Sequence, residues 1–94
     1  MNLYITDSAK REFDAILAQE GNEHKLIRFY IKRVSRWYGP IIGVVLDEPG
    51  ENDKVYEVEG NRIIINSSLE NQIKNIYVDY IKDGYHIGYK IDCN

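Results

Sequence analysis

The chain has 94 residues, a formal net charge of −3 and 44% hydrophobic residues. This length fits a single domain, residues 1–94, with one core. No apolar run approaches the roughly 20 residues that a membrane-spanning helix needs, which excludes such a helix. The single cysteine, Cys93, cannot form an internal disulfide. Because the N-terminus also lacks a signal-peptide pattern, the sequence predicts a cytoplasmic protein.

The first predicted elements are a short strand and a helix. Residues 2–5 form the strand, and Thr6 or Asp7 then caps the helix, because their side-chain oxygens accept the free N–H groups of its first turn. Gly21-Asn22 ends the helix. Its apolar face contains residues at helical spacing, namely Ala9, Phe13, Ile16 and Leu17.

Two longer strands follow. Residues 25–34 alternate in polarity, so one face carries apolar side chains and the other is polar or aromatic. The apolar face has Ile27, Phe29 and Ile31, and the other face has Arg28, Tyr30 and Lys32. Residues 40–46 are apolar at both parities, which predicts a strand that is covered on both faces.

The second half of the chain predicts four more strands and a short helix. Residues 54–59 and 62–66 form a hairpin with a turn at Gly60-Asn61. Ser67-Ser68-Leu69-Glu70 is a capping box that starts the second helix. Residues 76–81 and 85–91 are the last strands, with Tyr85, Ile87, Tyr89 and Ile91 on one face. The fold class is therefore mainly β with an α+β tendency, a meandering β-sandwich of about seven strands with an N-terminal helix and a short second helix.

No catalytic pattern is present. The sequence has no Ser/His/Asp arrangement, no phosphate-binding glycine loop and no zinc spacing, so it predicts that the protein is not an enzyme. The candidate metal ligands are Cys93, in an expected mobile tail, and His86, on the face of the last strand opposite the tyrosines. One thiolate makes no tight site alone, so a metal would need Cys93 from more than one subunit.

Charge is unevenly distributed along the chain. Residues 25–40 contain basic residues and no acid, interleaved with aromatic residues, whereas residues 46–60 are strongly acidic. The basic stretch imitates a platform for single-stranded nucleic acid. The overall negative charge argues against phosphate binding, however, so nucleic acid is not the expected partner. A bipolar surface fits a protein partner or a second copy at least as well.

The order of these elements resembles the HesB/IscA-like family, the A-type proteins of iron–sulfur cluster assembly. The segment "LYITDSAKREFDAIL" is similar to the family's first strand, helix cap and first helix. The segment "LIRFYIKRV" resembles the strand that leads to the family's Gly-Cys-x-Gly motif. The acidic loop and hairpin resemble "GPIIGVVLDEPGENDKVYEVEGNRIIINSSL", and the late Asp-Tyr strand resembles "IYVDYIKDGYHI". The resemblance covers nearly the whole chain and implies a HesB-like β-sandwich.

The chain departs from this family at the ligand positions. If Gly39 matches the second glycine of the motif, Trp37 stands where the family has its first cysteine and Arg36 stands at the first glycine. The other two cysteines of the family belong to a Cys-Gly-Cys tail, and Asp92-Cys93-Asn94 is not in register with it. An indole N–H has no lone pair for iron. By this resemblance, none of the usual cluster ligands carries over.

Three functional interpretations remain. The first is a divergent HesB/IscA-like binding or interaction module that binds a protein partner or a second copy through Lys32, Arg36, Trp37 and Tyr38, with no cofactor expected. The alternative is a carrier or scaffold for iron or an iron–sulfur cluster, which only the resemblance implies, using Cys93 across an oligomer with help from His86. A weaker alternative is nucleic-acid contact through residues 25–40. The sequence leaves open whether Trp37 is exposed or packed; packing is favoured because Trp buries a large area.

Overall fold

The computed structural model describes residues 1–94 and contains the predicted number of elements. The seven strands and two helices are confirmed. No helix has the length and apolar character that crossing a membrane requires. In chain order the elements are β1 (Asn2–Ile5), α1 (Asp7–Leu17), β2 (Leu26–Ser35), β3 (Gly39–Asp47), β4 (Asp53–Val58), β5 (Asn61–Asn66), α2 (Ser67–Gln72), β6 (Asn75–Lys82) and β7 (Ile87–Cys93).

The strands form two sheets that enclose one core. One sheet has the order β1-β6-β7, and the other has the order β3-β2-β5-β4. Because β1 pairs with β6 and β2 pairs with β5 in parallel, the connectivity is not a simple meander. The core between the sheets also takes in one face of each helix, and its completely buried side chains include Phe13, Phe29, Ile63 and Ile76.

Helix α1 begins as predicted but ends earlier than predicted. Thr6 is the N-cap, and its side chain accepts a hydrogen bond from the Ala9 N–H at 3.3 Å. The helix ends at Leu17 rather than at Gly21-Asn22. The reason is that the Asn22 side-chain amide donates to the Ile16 carbonyl at 2.9 Å, which satisfies a C-terminal carbonyl without another helical turn.

The prediction that residues 40–46 are covered on both faces is wrong. Strand β3 lies at an edge of the four-stranded sheet, with Ile42 buried and Val45 exposed. Its inner face packs on the core and its outer face has no covering layer. β3 also contacts β7 of the other sheet. This contact, rather than a layer on each face, accounts for the run of apolar residues in an edge strand.

Two predicted turn and cap positions are displaced by one residue. The β4–β5 loop is Glu59-Gly60 rather than Gly60-Asn61, and both loop residues have positive φ, 49° and 89°. Helix α2 is capped by Asn66, whose side chain accepts from the Ser68 N–H at 3.0 Å, so Ser67 is not the cap. Glu70 does not complete a capping box, because its carboxylate accepts a hydrogen bond from the Tyr56 hydroxyl at 2.6 Å.

Candidate functional site

The hairpin between β2 and β3 ends in an aromatic turn. The Ser35 hydroxyl accepts hydrogen bonds from the Trp37 N–H at 3.2 Å and from the Tyr38 N–H at 3.1 Å. Gly39 then takes a φ of 75°, a value that favours glycine. The turn is thus held by its own backbone and by Ser35, and it needs no packing of its two aromatic side chains.

Trp37 and Tyr38 are each 84% exposed. The favoured packing of Trp37 over the sheet edge is therefore wrong. The physical reason is local, since a turn closed by Ser35 and Gly39 is stable without burying the indole. The two aromatic side chains are among the most exposed large apolar groups of the protein.

A β-bulge separates this end of β2 from the rest of the strand. Ile31 pairs with Ile42 and Arg33 pairs with Ile41, so Lys32 has no cross-strand partner. The extra residue changes the alternation and increases the local twist, which turns the end of the hairpin relative to the sheet. Lys32 therefore does not simply continue the face of Arg28 and Tyr30, as alternation predicted. We call the exposed side chains of Lys32, Arg33, Val34, Arg36, Trp37 and Tyr38 the hairpin tip.

The positive charges of the hairpin tip have no internal partner. Lys32, Arg33 and Arg36 take part in no ion pair. Arg28 is different, since its side chain is only 15% exposed and its guanidinium bonds Asp53 at 2.6 and 2.7 Å and Asp47 at 2.8 Å. The basic stretch therefore divides into a structural arginine and a free basic cluster at the hairpin tip.

The acidic stretch is partly neutralised within the chain. Arg28 holds the carboxylates of Asp47 and Asp53, and Lys10 pairs with Glu59. The Arg28 hydrogen bonds lower the pKa of Asp53 to about 2, and a further bond from the Gly50 N–H at 2.6 Å acts in the same direction. This part of the chain closes the loop between β3 and β4, and its free acidic charge is smaller than the sequence indicates.

Cys93 lies in an ordered strand rather than in a mobile tail. It pairs with Ile76 in the β6–β7 ladder and packs against the core. Its thiol donates to the Pro40 carbonyl at 3.5 Å, so the sulfur lies beside the start of β3, close to the hairpin tip. Burial, and then the negative charge of Asp92, raise the pKa of the thiol. These contacts favour the neutral thiol over the metal-binding thiolate.

His86 and Cys93 do not approach each other within one chain. His86 lies in the turn before β7, where its N–H donates to the Asp83 carboxylate at 2.8 Å, and its side chain is exposed. The prediction that His86 lies within the last strand is therefore wrong. The Asp83 carboxylate also accepts a hydrogen bond from the Tyr85 N–H, which closes the turn before the strand begins. Cys93 follows His86 by seven positions of largely extended chain, which places the two residues roughly 23 Å apart. Nowhere do three or more His, Cys, Asp or Glu side chains gather as metal ligands would.

Sequence reasoning missed Ser35, Val34 and Pro40 at this site. Ser35 carries a usable signal, because Ser and Thr hydroxyls often accept backbone N–H groups two and three residues later in a turn. Val34 and Pro40 are cross-strand partners next to the turn. The register that pairs Val34 of the hairpin tip with Pro40 follows the bulge at Lys32, and no sequence pattern indicates that bulge.

Comparison with known proteins finds similarity both in sequence and in structure. No family model matches the chain. The iron-binding protein IscA of Klebsiella pneumoniae is 26% identical over 90 residues, which cover 96% of this chain and 83% of IscA. The crystal structure of Escherichia coli SufA, described as involved in biosynthesis of iron–sulfur clusters, matches with a TM-score of 0.72 at 23% identity. The match covers 97% of this chain and 79% of the SufA chain.

These findings agree with the order of elements in the sequence and with the two-sheet fold. The sequence match to IscA spans the strand, helix and hairpin segments that carried the resemblance. The structural match to SufA shows the same fold across nearly the whole chain. The resemblance to the HesB/IscA-like family of A-type proteins is therefore confirmed, in sequence by IscA and in fold by SufA.

Proposed function

We propose that the chain is an iron–sulfur assembly protein of the IscA and SufA kind whose hairpin tip binds a protein partner instead of ligating iron. One observation carries the proposal. Trp37, at the position where the family resemblance expects a cysteine, is 84% exposed beside an equally exposed Tyr38. A large, rigid aromatic pair on a protein surface is typical of the anchors of protein interfaces.

The composition of the hairpin tip supports a protein partner with an acidic surface. Three exposed basic side chains without ion-pair partners, Lys32, Arg33 and Arg36, belong to the same hairpin as the aromatic pair. Charged groups at the rim steer a complementary partner, whereas the buried aromatic anchors supply most of the affinity. Nucleic acid is the less favoured ligand, because the chain as a whole carries a net charge of −3.

The test measures how much of a binding partner is captured by variants of the hairpin tip and by a control variant at an exposed tyrosine elsewhere on the surface. Trp37→Ala and Tyr38→Ala should each reduce capture from a lysate at least about tenfold, since interface anchors contribute about 2 kcal/mol or more. Tyr85→Ala is the control, because Tyr85 is 95% exposed but lies in the turn before β7. Equal capture by all four proteins would contradict the proposal. Circular dichroism of each variant excludes unfolding as the cause.

A carrier of iron or of an iron–sulfur cluster remains the second candidate, because Cys93 lies close to the hairpin tip. Its sulfur is 3.5 Å from the Pro40 carbonyl, three residues along the chain from Trp37. Iron and clusters would here be cargo, held by thiolates from two or more subunits. In this case Cys93→Ser should abolish iron retention, and Trp37→Ala should leave it unchanged. If the hairpin tip instead binds a protein partner, Trp37→Ala should weaken partner binding and Cys93→Ser should leave it unchanged.

A further inference from the structure

The outer edge of strand β3 turns backbone groups away from its sheet. β3 is the outermost strand and pairs only with β2. The Pro40 carbonyl accepts the hydrogen bond of the Cys93 thiol, which lies in the other sheet, so this carbonyl points away from β2. The β-bulge adds its extra residue to β2 and leaves the alternation of β3 unbroken. Because alternate residues turn their backbone groups to the same side, those of Ile42 and Val44 also point away from β2.

These backbone groups have no partner within the chain. No ladder joins β3 to β7, and no backbone hydrogen bond outside the ladders involves Ile42 or Val44. Between Pro40 and Asp47 the strand also has no charged residue and no further proline, the residues that usually protect an edge from pairing. This part of β3 is therefore an unprotected edge.

A crevice of about 370 Å³ follows this edge. Four consecutive residues of β3 line it, and their side chains alternate between the two faces of the sheet, so the crevice lies along the edge of the strand and not on one face. β7 forms the opposite wall with half-buried apolar side chains, and one exposed lysine supplies the only charge. The lining residues are Lys32, Ile41, Ile42, Gly43, Val44, Tyr89 and Ile91.

We infer that an extended acidic segment of the partner protein adds to the sheet as an antiparallel strand beside β3. The inference rests on the proposed function for the identity of the partner, because β3 begins at Gly39, directly after the aromatic pair of the hairpin tip. The free groups of Ile42 and Val44 repeat at about 6.8 Å, the distance between alternate residues of a strand, which matches an extended polypeptide. A purely apolar ligand would leave these donors and acceptors without hydrogen bonds, which is costly.

The walls of the crevice determine the side chains of the segment. In an antiparallel pair, residues opposite each other share a face, so the residues that bond Ile42 and Val44 turn their side chains toward Tyr89 and Ile91. These side chains should be apolar. The alternate side chains should be acidic, because Lys32 lines the crevice without an ion-pair partner.

The test is an NMR titration of the ¹⁵N-labelled full chain with a short, end-blocked peptide in which Val and Glu alternate. The amide signals of Ile42 and Val44 should shift and saturate below about 1 mM peptide. N-methylation of the Val residues removes the donors that face β3, so this peptide should bind at least about tenfold more weakly. N-methylation of the Glu residues is the matched control, since those N–H groups point away from β3 and their loss should leave the affinity nearly unchanged.

A charge reversal tests the role of Lys32. Lys32→Glu should weaken binding of the acidic peptide about fivefold, and salt should reduce the difference. Lys25→Glu is the matched control, because Lys25 is also exposed and without an ion pair but precedes the other end of β2. An equal effect of the two reversals would contradict the charge assignment.

Three results would overturn the edge site. They are no saturable shift of the Ile42 and Val44 amides, equal binding of the two N-methylated peptides, or shifts of the same amides when the chain alone is diluted, which would assign the edge to a second copy. If the titration fails while Trp37→Ala still reduces partner capture, the edge site is wrong and the proposed function stands. Saturable peptide binding with unchanged capture by Trp37→Ala would retain the edge site and refute the proposed function.

Discussion

Replacing Asp53 by Asn should destabilise the protein at neutral pH and not at low pH. The Asp53 carboxylate is 4% exposed and receives two hydrogen bonds from the Arg28 guanidinium, at 2.6 and 2.7 Å. It also accepts from the Gly50 N–H at 2.6 Å, so it closes the loop between β3 and β4. An amide keeps the size of the group but loses the negative charge and one acceptor, which leaves Arg28 incompletely paired.

The size of the effect follows from the pKa of Asp53. Its hydrogen bonds with Arg28 lower this pKa from 3.8 to about 2. Because one pKa unit corresponds to about 1.4 kcal/mol, the upper limit is roughly 2.5 kcal/mol. Solvent screening at a surface loop reduces the expected loss to about 1 to 2 kcal/mol. A lowered pKa stabilises the folded state above the pKa of the unfolded state, so the contribution is complete at pH 7. It disappears as the pH falls from about 5 to below 2.

Urea unfolding at several pH values measures this contribution. Circular dichroism is the suitable signal, because Trp37 is exposed in the folded protein and its fluorescence reports unfolding poorly. Glu51→Gln is the matched control, since it removes the same charge from the same loop at a side chain without an ion pair. An equal loss in both variants, or a loss in Asp53→Asn that does not change with pH, would refute the reasoning.

Two further predictions concern the β4–β5 loop and Cys93. Gly60→Ala should lower the free energy of unfolding by about 1 kcal/mol, because residue 60 has a φ of 89° while an added Cβ would meet no atom within 4 Å. Gly84→Ala is the control without positive φ, and an equal effect of the two changes in urea unfolding would contradict this explanation. Cys93 should react with a thiol reagent more slowly than a free cysteine at pH 8, because burial and Asp92 both raise the pKa of its thiol. The midpoint of its rate against pH should lie above that of a free cysteine. Asp92→Asn should speed the reaction, and an unchanged rate would show that the charge has no influence.

The sequence predicted the elements of this fold because their local patterns agree with their tertiary surroundings. Alternation in residues 25–34 identified the buried face of β2, and Thr6 capped α1 as its side chain indicated. Where local and tertiary preferences differ, the prediction failed. Glu70 was the expected partner of the Ser67 N–H, but Tyr56 on a neighbouring strand holds its carboxylate.

The sequence predicted which residue types form the candidate site, but it did not predict their exposure or which of them share a face. The basic and aromatic residues around Trp37 are visible in the sequence, but their exposure is not, because an indole can equally pack on an edge. The bulge at Lys32 has no sequence signal, and it changes which side chains share a face. Arg28 was placed with the free basic residues, yet Asp47 and Asp53, which are distant in sequence, enclose it through loop closure. Contacts between distant segments are what a single sequence conceals.

Iron content after anaerobic reconstitution tests the central claim most directly. The chain is incubated with ferrous iron and sulfide and desalted, and iron per chain and visible absorbance are measured beside IscA, the iron-binding relative. The proposal that the hairpin tip binds a protein instead of ligating iron predicts a colourless chain with far less than one iron per chain, equal in wild type and Cys93→Ser. Stoichiometric iron with visible absorbance that is lost in Cys93→Ser would contradict it and establish the carrier.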